Sequence, residues 1–218
     1  MQSRTALLIL TACVAFGLSA QEPAKDLKIS TAKGLAPRAT PADYQAQIKA
    51  GAVIIAAEFL GHAIPLPQET LSTEDYVVVE VGMFGPPDAR LMLSVNDFSL
   101  RINDKKTPAP NQPYELVFKT LKSPEYEPPS KSDAGKTSFG TGGGQTDPNA
   151  PPPPVHIPIE VRRTWQQHIQ EAAMLEGERP LPQAGLIYFL YRGKTQSIHS
   201  LELIYSGAAG KAAVALRP

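Results

Sequence analysis

The run Tyr76-Val77-Val78-Val79-Glu80-Val81-Gly82-Met83-Phe84, closed by Gly85-Pro86-Pro87-Asp88, is the point from which the chain is read. Side chains alternate across a strand, so Val77, Val79, Val81 and Met83 share one face. Val78, Glu80, Gly82 and Phe84 share the other. β-branched residues favour such a pleated surface, and Gly-Pro-Pro-Asp supplies the turn that ends it.

The same period recurs on both sides. Val53, Ile55, Ala57 and Phe59 alternate with Ile54, Ala56, Glu58 and Leu60. Leu91, Leu93 and Val95 share one phase, and Phe98, Leu100 and Ile102 the opposite one. A one-residue slip flips the buried face, so this stretch is either two strands or one strand with a bulge. Asn103-Asp104 forms the next turn, and Tyr114, Leu116 and Phe118 read as another strand. Ile187, Phe189 and Tyr191, then Leu201, Leu203 and Tyr205, then Val214 and Leu216 complete the set. Gly193-Lys194 and residues 207–210 are expected to join these last three as hairpin turns.

That makes seven to eight short strands without regularly alternating helices. The expectation is a mainly β chain, an antiparallel β-sandwich with one inserted amphipathic helix. The helix covers residues 158–178. Val161, Trp165, Ile169, Ala172 and Leu175 form its apolar stripe, while Arg162, Arg163, Gln166 and Gln170 face away. Trp165, the only tryptophan, is assigned to the core. A shorter helix is expected to start at Thr40-Pro41-Ala42-Asp43, where Thr can cap and Pro fits the first turn, and to run to Lys49.

The chain divides accordingly. Residues 1–20 carry a basic start and an apolar run ending at Ala20, the pattern of a secretory signal peptide. Residues 21–50 are a tether with the short helix. Residues 51–122 form the first part of the sandwich. Residues 123–157 are a Pro/Gly-rich insertion expected to be disordered, with Gly142-Gly143-Gly144 and the prolines 151–154. The helix at 158–178 follows, and residues 179–218 supply the C-terminal strands. Export to the periplasm or exterior is therefore expected. A second reading takes Leu10-Thr11-Ala12-Cys13 as a lipoprotein signal, with Cys13 lipidated. Cleavage after Ala20 removes the only cysteine, and with it disulfides and thiolate metal sites.

Charge narrows the function. With 21 basic and 21 acidic side chains the formal net charge is zero, without the basic footprint a nucleic-acid binder uses. No run is long enough for a transmembrane segment. Gly135-Lys136-Thr137 and Gly193-Lys194-Thr195 resemble the end of a phosphate-binding loop, but Ser130 and Tyr188 stand where its first glycine belongs. His62, His156, His168 and His199 form no recognised metal pair; His168 and Glu171 are three apart and could share a helix face, but the di-iron pattern runs Glu-x-x-His and needs a second copy on another helix. Asp75, Asp88, Asp97 and Asp104 fall at turns. No catalytic, cofactor or metal residue is singled out.

Three segments, Tyr76–Val81, Asp97–Arg101 and Gly185–Phe189 followed by Ser200–Tyr205, resemble the strands of small secreted bacterial Ig-like β-sandwich domains, from families of unknown function. The resemblance covers residues 50–121 and 181–216. It implies the sandwich fold and brings no catalytic residues. Two functions stay open. One is a non-enzymatic interaction or accessory module of the cell envelope, with an unknown protein or envelope component as partner. The other is an envelope hydrolase acting on sugars or peptides, with carboxylates assembled by loops.

Overall fold

The computed structural model describes residues 34–66, 69–122 and 157–218. The expected signal peptide at 1–20, the Cys13 alternative, most of the tether and the insertion through residue 156 lie outside the described residues.

Eight strands follow one hydrogen-bonded order. They are β1 (Ala46–Ala50), β2 (Val53–Gly61), β5 (Tyr76–Phe84), β11 (Gln183–Leu190), β8 (Ala109–Gln112), β7 (Phe98–Ile102), β12 (Leu201–Gly207) and β13 (Gly210–Leu216). All neighbours in this order are antiparallel. The two ends of the order approach each other. Gln45, just before β1, donates from Nε2 to the Arg217 carbonyl beyond β13 at 2.9 Å. The chain is thus mainly β, as expected, but the sheet curls almost into a barrel.

Two smaller sheets complete the β structure of the described residues. β3 (Ala63–Pro65), β4 (Thr70–Thr73) and β9 (Leu121–Lys122) form a three-stranded sheet. β6 (Arg90–Leu93) pairs with β10 (Gly177–Pro180). The ambiguous stretch at 91–102 is therefore two strands, β6 and β7, separated by a short 3-10 turn at Val95–Asp97.

The strand period explains two cores. Val77, Val79, Val81 and Met83 of β5 point inside the curled sheet with Ile187 and Phe189 of β11, Phe98 and Leu100 of β7, and Leu203 of β12. Tyr76 and Val78 of β5 and Leu186 and Tyr188 of β11 point outward. They are buried because the helix α2 (Ile159–Ala172) lies over them, bringing Trp165, Ile169 and Ala172. Trp165 is 2% exposed, and its indole N–H donates to Glu69 Oε1 at 2.6 Å. Burial of the whole Trp165 ring with its one polar atom satisfied is the arrangement an interior tryptophan requires. Trp165 lies in the core, as expected.

Four local expectations are corrected. Only Pro41–Asp43 is helical near the N-terminus, as one 3-10 turn, and residues 46–50 form β1. Gly51, at φ +58°, makes the tight turn that lets Ala50 pair with Val53 in a hairpin. The run at 114–118 is a short helix, α1 (Tyr114–Phe118), with Val117 buried; positions 114, 117 and 118 share a helical face. Gly193-Lys194 does not join paired strands, because β11 lies beside β5 and β8, and β12 beside β7 and β13. The hairpin expected at 207–210 is present.

The fourth correction concerns the end of α2, which stops at Ala172 rather than near 177. Ala173 turns extended and lies parallel to Leu186, and Met174 donates its N–H to the Leu186 carbonyl at 3.1 Å. The open edge of β11 offers that carbonyl, and the extended path delivers the Met174 side chain to the inner core. Together these outweigh a further helical turn. Gly185 makes the approach feasible: a Cβ there would stand 2.3 Å from Met174 Cα. Among the described residues no helix is long and apolar enough to cross a membrane.

Candidate functional site

Two polar constellations stand out. The first lies on the outer face of β2 and β5, where Glu58 and Glu80 are cross-strand partners. Glu80 is a buried charge, and Arg38 neutralises it through two bonds, Nε to Oε1 at 3.2 Å and Nη2 to Oε2 at 2.7 Å. The same guanidinium bridges to Glu58 and donates to the Asp43 carbonyl at 2.7 Å. It also lies 4.5 Å over the Tyr44 ring. Two paired carboxylates hold the Arg38 proton more tightly than usual. The pair is a clamp on residues 38–44, and neither carboxylate faces the cavity described next.

The second constellation is that cavity, about 390 Å³, within the range used by small-molecule sites, about 300–1,000 Å³. It forms where two separate segments meet β11. Outward-facing Leu186 and Tyr188 supply its floor. Asn111, Gln112, Pro113, Tyr114 and Glu115, from the end of β8 and the start of α1, make one wall. Gln170 on α2 with Ala173, Met174 and Leu175 makes the other, and Val95, Glu176 and Arg179 close the end.

The frame of the cavity is fixed by hydrogen bonds. Glu176 Oε1 accepts from the Val95 backbone N–H at 3.2 Å and from the Ser94 hydroxyl at 3.4 Å. The Glu176 carbonyl accepts from Arg179 Nε at 2.9 Å. Gln112 Nε2 donates to the Asn111 carbonyl at 3.1 Å. By contrast, the side-chain amides of Asn111 and Gln170 make no hydrogen bond among the described residues. The Tyr188 hydroxyl is buried and also has no partner there. A buried hydroxyl left unpaired costs about 1–3 kcal/mol, so its retention calls for an explanation. Burial pushes the Tyr188 phenol well above its usual range, which keeps it a neutral donor and acceptor. Burial, then the nearby Glu115 carboxylate, raises Tyr114 as well.

The histidines are dispersed. His62, between β2 and β3, places Nδ1 2.7 Å from the Tyr76 carbonyl and Nε2 2.9 Å from that of Gly193. It ties the start of β5 to the loop after β11. His168 is half-buried on α2, with Nδ1 unpaired among the described residues, and His199 is exposed before β12. His156 lies outside the described residues. Among the described residues no three His, Cys, Asp or Glu side chains gather as a metal site would require. At Asp97, burial and then Glu176 raise the carboxyl above its ordinary range.

Sequence reasoning did not find this cavity. Its lining comes from four separate segments, and although Val95, Tyr114, Gln170 and Leu175 lie in runs whose facing can be read, only the fold brings those runs together. Compared with protein-family models, with curated proteins and with solved structures, the chain matches none.

Proposed function

We propose that the chain is a non-enzymatic interaction module of the cell envelope, exported by its N-terminal segment, and that the cavity floored by Tyr188 is its binding surface. The observation that carries this reading is the cavity itself, whose rim holds the Asn111 and Gln170 amides that no described residue engages. The Glu58 and Glu80 carboxylates are engaged by Arg38 away from the cavity, and of the two carboxylates in its lining Glu176 is held by Val95 and Ser94. This favours binding over turnover.

The fold reading that accompanies it is Ig-like. Strands β1, β2, β5 and β11 form one layer and β7, β12 and β13 the other, with short β8 joining them along one side. Read so, the curled sheet is a flattened sandwich whose second side is closed by contacts of β13 with β1 and β2.

Cosedimentation of the purified mature chain with the envelope fraction of the producing cell tests the function. Wild-type protein is expected in the pellet, with Asn111→Ala/Gln170→Ala largely left in solution. Equal partition of both proteins, or residence of the full-length chain in the cytosol, would refute the reading.

A further inference from the structure

We infer that His62 is a proton-dependent latch. With both ring nitrogens protonated it holds the loop between β11 and β12 against the start of β5; with one proton lost it lets that loop go at Gly193. A backbone carbonyl can only accept a hydrogen bond. His62 Nδ1 lies 2.7 Å from the Tyr76 carbonyl oxygen, and Nε2 lies 2.9 Å from that of Gly193. Both are N–H···O distances, so both bonds exist together only when both nitrogens carry a proton. The neutral ring has one N–H. Its other nitrogen then turns a lone pair toward a carbonyl lone pair, and that contact repels.

The two carbonyls differ in what else holds them. Tyr76 is buried at the start of β5, and its carbonyl also accepts from the Thr73 hydroxyl at 2.9 Å. Thr73 Oγ1 in turn accepts from the Tyr76 N–H at 3.0 Å. Gly193 lies in the loop at 191–200, which is anchored near its two ends. Tyr191 donates its N–H to the Asp75 carbonyl at 2.8 Å. Asn103 donates from Nδ2 to the Ser197 carbonyl at 2.9 Å, and its Oδ1 accepts from the His199 N–H at 2.9 Å. Between these anchors the bond to His62 draws Gly193 onto the sheet. The neutral ring therefore keeps its proton on Nδ1, against the fixed carbonyl, and Gly193 is the partner that withdraws.

The charged side chains on the elements around the ring lie in the turn before β5 and in the loop itself. Asp75 pairs with Arg192 at 3.3 Å, and Glu74 and Lys194 are exposed. The Tyr191 ring stacks on His62 with centroids 6.3 Å apart. From β3 and β4 come Ala63, Thr70, Leu71 and Ser72, and Pro218, the last residue of the sequence, borders the same space. That space is a second cavity of about 520 Å³, with Gly61 and His62 on one side and Thr195 on the other. A Cβ on Gly61 would stand 3.4 Å from Thr195 Oγ1, so the loop touches the end of β2 here. Release of Gly193 draws this wall back and widens the mouth of the cavity.

The test follows the ring nitrogens of His62 and the amides of residues 192–196 together in the isotope-labelled chain, by NMR, while pH is raised until the ring loses a proton. Both nitrogens are expected to be protonated at the acid end. Proton loss from Nε2 is expected to share one midpoint with a shift of the 192–196 amides. Their protection against hydrogen exchange should fall about tenfold across it, the loss of one bond to a charged group. His62→Gln, which cannot take a second proton, should abolish the transition in the loop, whereas His199→Gln, a titratable neighbour on the same loop, should leave it in place. If His62→Gln fails to fold, the shared midpoint in the wild type and its survival in His199→Gln carry the test. A ring found neutral while both carbonyl contacts stand, a ring that keeps both protons until the chain unfolds, separate midpoints for ring and loop, or a transition that survives His62→Gln or vanishes in His199→Gln would overturn the latch.

Discussion

Arg38 and Glu80, 42 positions apart, form a two-pronged ion pair on the outer face of the sheet, with Nη2 2.7 Å from Oε2. The Glu80 side chain is 8% exposed and that of Arg38 31%. Glu80 sits mid-strand in β5, where its neighbours are valines, so its charge is tolerable only because the segment before β1 returns to cover it. The relationship ties residues 34–44 to the sheet.

Removing Arg38 should therefore be costly beyond the lost contact. Arg38→Ala leaves Glu80 buried beside Glu58, two carboxylates facing each other across strands. The expected loss is about 2–3 kcal/mol, below the full cost of breaking a buried pair because Arg38 keeps some solvent. Adding Glu80→Gln should recover part of it. Urea unfolding of the single and double variants measures both; a double variant less stable than Arg38→Ala would count against the clamp.

Trp165 joins α2 to the outer core. Trp165→Ala should cost about 3–5 kcal/mol, and Trp165→Phe, which keeps an aromatic ring but loses the bond to Glu69, about 1–2 kcal/mol. Arg163→Ala, on the exposed face, should cost under about 0.5 kcal/mol. Thermal melts rank the three. A midpoint indifferent to Trp165→Ala would mean that the helix does not hold the outer core.

Gly185 and Met174 are in backbone contact where α2 hands the chain to the edge of β11. Gly185→Ala must displace Met174, and the expected loss is about 1–3 kcal/mol, at the upper end because the opposing atoms are backbone. Hydrogen exchange at the Met174 amide should accelerate in the variant. Unchanged stability and exchange would show that the handover is looser than described.

Asp97 should make stability depend on pH in an unusual direction. Its carboxyl lies above the ordinary value of 3.8, chiefly through burial and then through Glu176. The folded state therefore holds this proton more tightly than the unfolded chain. That contribution is present in acid and is lost as pH rises from below 3.8 through the raised folded value. Asp97→Asn removes the dependence. The stability of the variant relative to wild type should rise over that acid window and stay constant above it; a difference that falls with pH would invert the assignment.

Much of the fold was legible because the strands with large apolar residues repeat the strand period faithfully. β5 carries valines on both faces, which announces burial on both sides, and the stripe through Trp165 and Ile169 announces the helix that covers one of them. The failures are physical. Residues 46–50, Ala-Gln-Ile-Lys-Ala, are good helix formers, and only pairing with β2 makes them a strand. The short strands β3, β4, β9 and β10 carry too few residues to show a period. Tyr114-Glu115-Leu116-Val117-Phe118 satisfies alternation as well as a helical turn, and its packing against α2 settles the choice. The chain ends α2 early because β11 has a free edge, a fact of tertiary placement. The cavity inherits that same origin, since it exists only where the end of β8 and the end of α2 both fall short of covering β11.

Amide hydrogen exchange of the mature chain, with and without saturating envelope fraction, tests the binding surface most directly. Protection is expected in peptides covering residues 111–115 and 170–179, with the hairpin of β12 and β13 unchanged. Protection confined to that hairpin, or none anywhere, would contradict the placement of the site beside Tyr188.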